Sequence, residues 1–188
     1  MPPSILQPFK TFSTEGETVG RSLAGYSTLE IGLMNCVQVA LNDFDGVLKA
    51  MFRRRSETYR IDEGERLGLP AYAALGLDLD FLVATNAMRH CLTIRNQYAH
   101  WIWWDDNSGR LAFANIEDIT KIATPVNDLS LLNPHHVDAA LLAEQEAYFV
   151  HVDHALAWVN YEGRAKQGKI ARGLPNKPVP IPPPPLFL

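Results

Sequence analysis

The sequence predicts an all-α fold: a bundle of four to five helices, with a small β-hairpin insertion and an extended Pro-rich C-terminal tail. Three observations carry that prediction. Between residues 14 and 43 the apolar positions Val19, Leu23, Tyr26, Leu33, Val37 and Leu41 recur at steps of three, four or seven, as one face of a helix requires. Phe81, Thr85, Met88 and Leu92 repeat the pattern behind Asp78, a good N-cap residue. Leu141, Tyr148, Val152, Ala155 and Val159 repeat it again. Strand-like composition is confined to WIWW and RLAFA, which flank the turn-forming DDNSG and read as a hairpin.

The remaining elements follow in order. Residues 44–54 read as a shorter helical piece ending in the basic triplet Arg53, Arg54 and Arg55, and a further helix is expected between Ile61 and Leu75, closed by Gly76. Residues 116–123 read as one or two helical turns. Asn133-Pro134 reads as a helix start, with Asn as cap and Pro at the first helical position, and the helix is expected to run to Glu162. The final GLPNKPVPIPPPPLFL favours an extended polyproline conformation outside the core. The expected organisation is an N-terminal extension over 1–13, a helical domain over 14–165 and a basic, then Pro-rich tail over 166–188.

A chain of 188 residues has room for one domain with a proper core. Hydrophobic residues at 47% and charged residues at 20% are ordinary for a globular protein, and a net charge of −4 announces no general polyanion-binding surface. Any nucleic-acid contact must then be a local patch. Cys36 and Cys91 both fall within apolar helical patterns, which suits buried reduced thiols. No apolar run approaches the roughly 18 residues that span a bilayer, and MPPSILQPFK lacks a basic region followed by an apolar core. The expectation is a cytoplasmic protein with no membrane contact.

The chemistry gathers at RNQYAH. Glu30 lies between Tyr26 and Leu33 on the first long stripe, and Arg95 lies beyond Leu92 on a later one. An ionised group on a core-facing stripe is costly unless paired, so Glu30 is expected as the structural partner of Arg95. Arg95 has a second use, as a fixed fork offered to phosphate. His100 is five residues on, while Asn96 and His100, four apart, share a helix face on which the amide orients the imidazole. Imidazole moves protons near neutral pH and guanidinium stabilises a developing phosphorane, so the trio suits phosphodiester chemistry without a metal. The bland alternative is a histidine that caps or packs at a helix end.

Arg95, Asn96 and His100, at the end of a helix in a helical chain with a long first helix, resemble the signature of the HEPN superfamily (higher eukaryotes and prokaryotes nucleotide-binding domains). The similarity spans roughly residues 17–162 and is sharp only at the motif. It implies a HEPN-like bundle that forms a homodimer through the motif helix, so that two motifs face one another. For active, toxin-type members it also implies endoribonuclease activity with no metal or other cofactor: the 2′-hydroxyl attacks and a cyclic phosphate remains. His100 is then the general acid or base, Arg95 the phosphate clamp and Asn96 the positioning residue. Tyr98 stacks on a base or packs, and Arg89 is a second substrate-binding candidate. Many members with this fold are instead non-catalytic interaction or ligand-sensing modules, and that alternative stands.

Other constellations are weaker. Arg53, Arg54, Arg55, Arg60, Arg66 and Arg89 either rim a cleft or, more blandly, form a solvated helix face. His151, Asp153 and His154 match no known zinc spacing. GRSLAG lacks the lysine of a phosphate-binding loop. The aromatic hairpin and the Pro-rich tail are candidate surfaces for a protein partner.

Overall fold

Short polar side chains fix the helix ends. Asp43 accepts from Gly46 N at 2.9 Å and starts the helix Phe44–Phe52, Ser56 accepts from Tyr59 N at 3.2 Å and starts the helix Glu57–Ala74, and Gly76, at φ 65°, lets the chain turn out of the latter. The computed structural model describes residues 7–121, 125–126, 128–171 and 176–188. Their elements are α1 (Gln7–Thr11), α2 (Ser13–Leu41), α3 (Phe44–Phe52), α4 (Glu57–Ala74), α5 (Asp78–His100), β1 (Ile102–Asp105), β2 (Leu111–Ala114), α6 (Glu117–Thr120), β3 (His135–Val137) and α7 (Ala139–Lys166). The chain is therefore mostly helical, with seven helices among the described residues where four to five were expected, two of them only five and four residues long. No described helix is long and apolar enough to cross a membrane.

The residues fall into two compact units, a helical one of Ala24–Leu92 with Ala147–Pro183 and a sheet-bearing one of Met1–Leu23, Thr93–Glu146 and Pro184–Leu188. In the helical unit, Leu33, Val37, Met51, Ile61, Tyr72, Phe81, Met88, Val152 and Leu156 are buried. Close approach depends on small residues: a Cβ on Gly68 would stand 2.8 Å from Phe81 Cζ, and one on Gly64 would stand 3.0 Å from Leu33 Cδ2. Tyr72 stacks on Phe81 with centroids 4.6 Å apart and donates its hydroxyl to Cys36 O at 3.0 Å. Both cysteines are free and buried, and burial pushes the Cys36 thiol up to about 12. The last turn of α7 and the residues after it answer open carbonyls: Lys166 Nζ donates to Leu75 O, Gln167 Nε2 to Ala40 O and Lys169 Nζ to Val39 O.

The cation on Glu30 is Arg60, not the expected Arg95. Arg60 Nη1 donates to both Glu30 oxygens at 2.8 and 2.7 Å, with the Glu30 side chain 7% exposed. Arg60 belongs to α4, whose early turns show no regular apolar stripe, so periodicity gave no reason to turn that residue inward. Arg89 is likewise spent on carboxylates, Glu65 at 2.7 Å and Asp62 at 2.9 Å, and Arg66 on Glu63 at 2.7 Å. Lys177, from the chain beyond α7, pairs with Asp80 at 2.5 Å over the Trp158 ring.

In the sheet-bearing unit the expected hairpin forms, with Ile102 opposite Ala114 and Asp105 opposite Leu111. It gains a third antiparallel strand, β3, which pairs with β2 so that Ala112 stands opposite His136. That strand takes the place of the predicted helix start at Asn133-Pro134. The cap is Asp138, whose Oδ1 accepts from Leu141 N at 2.9 Å, so α7 begins five residues later than expected, at residue 139 rather than 134. The WIWW block is explained by strand alternation: Trp101 and Trp103 both meet Phe113, at 5.2 and 4.7 Å. Phe9 of α1 meets Trp103 at 5.5 Å, so α1 packs on the sheet. The tail also departs from expectation, because Pro184 is buried and Pro184–Leu188 belongs to this unit. Of the helical turns expected over 116–123, α6 accounts for Glu117–Thr120, while residues 122 and 123 lie outside the described residues.

Two outcomes follow from these ion pairs. Arg60→Ala strands a buried carboxylate and should lower unfolding free energy by about 3 kcal/mol. Arg66→Ala, at an exposed pair, should leave the denaturant midpoint where it is. Asp106, at the hairpin turn, receives hydrogen bonds from Ser108 and His136, the latter at 2.8 Å, and these hold its carboxyl down at about 2. A depressed carboxylate stabilises the fold above its unfolded pKa of roughly 4, and that stability is lost as pH falls toward 2. NMR titration of the Asp106 carboxyl should show the low value, and His136→Ala should raise it only part of the way, since the Ser108 bonds remain.

Candidate functional site

The last two turns of α5 carry Thr93, Asn96, Gln97 and His100, at offsets of three, four and seven that place all four on one helix face. The opposite wall follows from the hairpin. With Ile102 paired to Ala114, the register sets Asn115 level with Trp101, the residue after His100. Asn115 Oδ1 accepts from Glu117 N at 3.0 Å, a turn that brings Ile116 and Glu117 round to the helix face. Together Thr93, Asn96, Gln97, His100, Trp101, Asn115, Ile116 and Glu117 enclose an open cleft of about 410 Å³.

Two of the three motif residues line this cleft. His100 is exposed there, and Asn96 is half-buried. Arg95 is held beside them: its Nη1 donates to Asn96 Oδ1 at 2.9 Å, which fixes the amide and leaves Asn96 Nδ2 as the group to donate. Arginine thus reaches the cleft through asparagine. Gln97, 7% exposed, has an Oε1 with no hydrogen-bond partner among the described residues, and a buried carbonyl oxygen in that condition favours any ligand that brings a donor.

Tyr98 does not belong to this face. It is 3% exposed, and its hydroxyl donates to Gln145 Oε1, with the ring against Trp103 at 5.4 Å and Phe113 at 6.0 Å. A ring so enclosed packs and has no face left for a base. Arg89, the second substrate-binding candidate, falls in the helical unit, where it pairs with Asp62 and Glu65. The arginines proposed as a rim, Arg53, Arg54, Arg55, Arg60, Arg66 and Arg89, all lie in the helical unit.

Asn115, Glu117, Gln97 and Thr93 were not singled out from sequence. Gln97 and Thr93 were legible in the spacing to His100, whereas Asn115 and Glu117 required the hairpin register. Chemically the cleft offers one imidazole, one carboxylate, three amides and a hydroxyl, a set that can move protons and bind a polar ligand of mixed donors and acceptors. Among the described residues no group of three or more His, Cys, Asp or Glu is placed to hold a metal ion. No family model, curated protein or solved structure matches the chain.

The separation of roles can be measured as stability. Tyr98→Phe leaves Gln145 Oε1 buried without its donor and should cost about 1 to 2 kcal/mol. His100→Ala, at an exposed position, should leave thermal unfolding within about 0.5 kcal/mol of the parent.

Proposed function

We propose that the protein is a HEPN-like, metal-independent endoribonuclease with its site in the cleft at the end of α5. The observation that carries the reading is the exposed His100 sharing that cleft with Asn96, whose amide oxygen is held by Arg95 at 2.9 Å. An imidazole left in water beside a fixed amide suits proton transfer; a structural histidine is more usually enclosed or paired.

In the proposed reaction the ribose 2′-oxygen attacks the adjacent phosphorus and loses its proton, and the bond from phosphorus to the 5′-oxygen breaks. The leaving 5′-oxygen takes up a proton, giving a 2′,3′-cyclic phosphate and a 5′-hydroxyl. His100 is the general acid or base. Glu117, the other titratable group lining the cleft, is the candidate for the complementary transfer. Asn96 Nδ2 donates to a phosphoryl oxygen, and the Arg95 charge one residue behind it favours the anionic transition state. A homodimer through the motif helix brings a second set of these groups to the same substrate.

One observation favours a second reading, a non-catalytic homodimeric interaction or ligand-sensing module with the same fold. Among the described residues lining the cleft there is no lysine or arginine, and a phosphate-binding cleft is usually richer in direct cations.

Incubation of the purified protein with mixed RNA in EDTA, wild type beside His100→Ala, separates the two. The nuclease reading expects new cyclic-phosphate ends from the wild type and a loss of at least a hundredfold in rate for the variant. Intact RNA from folded wild-type protein would leave the binding-module reading in its place.

A further inference from the structure

The segment Pro184–Leu188 is seated in the sheet-bearing unit by contacts of the kind that recognise a peptide. Gln145 is fully enclosed, and its Nε2 donates to Pro185 O at 2.7 Å and Leu186 O at 3.3 Å. Its Oε1 is taken by the Tyr98 hydroxyl, so the amide cannot turn over and can present only its donor to the segment. Strand β3 is at one side of the sheet, order β1-β2-β3, and on its outer edge His136 O accepts from Leu188 N at 2.9 Å. The Phe187 ring lies on the His135 imidazole, centroids 3.9 Å apart, and Pro184 is buried. Backbone is read by a buried amide and a strand edge, and side chains are read by packing. That division is the one by which extended peptides are bound at sheet edges.

We propose that the sheet-bearing unit carries a peptide-binding groove, built from Gln145, His135 and the edge of β3, whose resident ligand is the chain's own Pro-Pro-Leu-Phe-Leu segment. The class of ligand it takes is an extended peptide with proline before a Leu-Phe-Leu triplet. The run of prolines before Leu186 presets the extended conformation, so little entropy is lost on docking. The resident segment is tethered, with an effective concentration on the order of mM, so a free peptide enters only when that segment is displaced. His135 also meets Trp101 at 5.5 Å, and Trp101 lines the cleft that holds His100, so the groove and the cleft share a wall.

The test uses the full chain carrying Phe187→Ala and Leu188→Pro, which remove the ring and the N–H that seat the segment. The probe is a labelled Pro-Pro-Pro-Leu-Phe-Leu peptide, followed by fluorescence polarisation, beside the same peptide N-methylated at the last leucine. The double variant should bind the parent peptide at least tenfold more tightly than either wild type binds it or the variant binds the N-methyl form. A folded variant that binds neither peptide, or both alike, would overturn the groove. Should the variant not fold, amide exchange on the wild type decides: Leu188 N–H should exchange at least tenfold more slowly than in the free peptide, and exchange at the free-peptide rate overturns the proposal.

Discussion

A glutamine that is wholly enclosed must have both ends of its amide satisfied, and at Gln145 that requirement organises the sheet-bearing unit. Its oxygen takes the hydroxyl of Tyr98, which lies on α5 between Asn96 and His100, and its nitrogen takes two carbonyls of the distal segment. Leaving either end open would cost on the order of 1 to 3 kcal/mol, so Tyr98 at the end of α5, Gln145 near the start of α7 and the segment are held together. With Tyr98 turned inward, the helical period turns Asn96 and His100 away from it, toward the wall formed by Asn115 and Glu117. The cleft therefore has its polar face because the opposite face of the same turn is anchored.

The two units solve the problem of buried charge and polarity differently. In the helical unit the buried side chain of Glu30 is answered by both contacts of one guanidinium nitrogen, and Tyr72 and Cys36 close on backbone carbonyls. In the sheet-bearing unit Gln145 and Tyr98 answer each other with neutral groups, and the Asp106 carboxylate meets the His136 ring beside the hairpin turn.

The long helices were legible because their buried stripes are regular: Leu33, Val37, Met88, Leu92, Val152 and Val159 are all enclosed. The hairpin was legible from its aromatic strands and the DDNSG between them. What escaped was decided by tertiary context. Asn133-Pro134 carries a good local helix signal, but His135–Val137 finds a strand to pair with, and Asp138 is an equally good cap five residues on. The proline run predicts extension correctly, yet says nothing of Gln145 and His135 waiting at its end. At the site, Asn96 and His100 on one face followed from a spacing of four. The pairing of Glu30 could not follow from spacing, since any arginine on a neighbouring helix satisfies the same rule and Arg60 is the one that arrives.

Under the proposed function the face of α5 bearing Asn96 and His100 meets RNA, and an NMR titration with a short oligonucleotide made uncleavable by replacing each 2′-hydroxyl with hydrogen tests this at the residues themselves. Saturable shifts of the side-chain amides of Asn96, Gln97 and Asn115 and of the His100 ring are expected. Shifts confined to the arginines of the helical unit, or none at all with the protein folded, would overturn the proposed RNA contact.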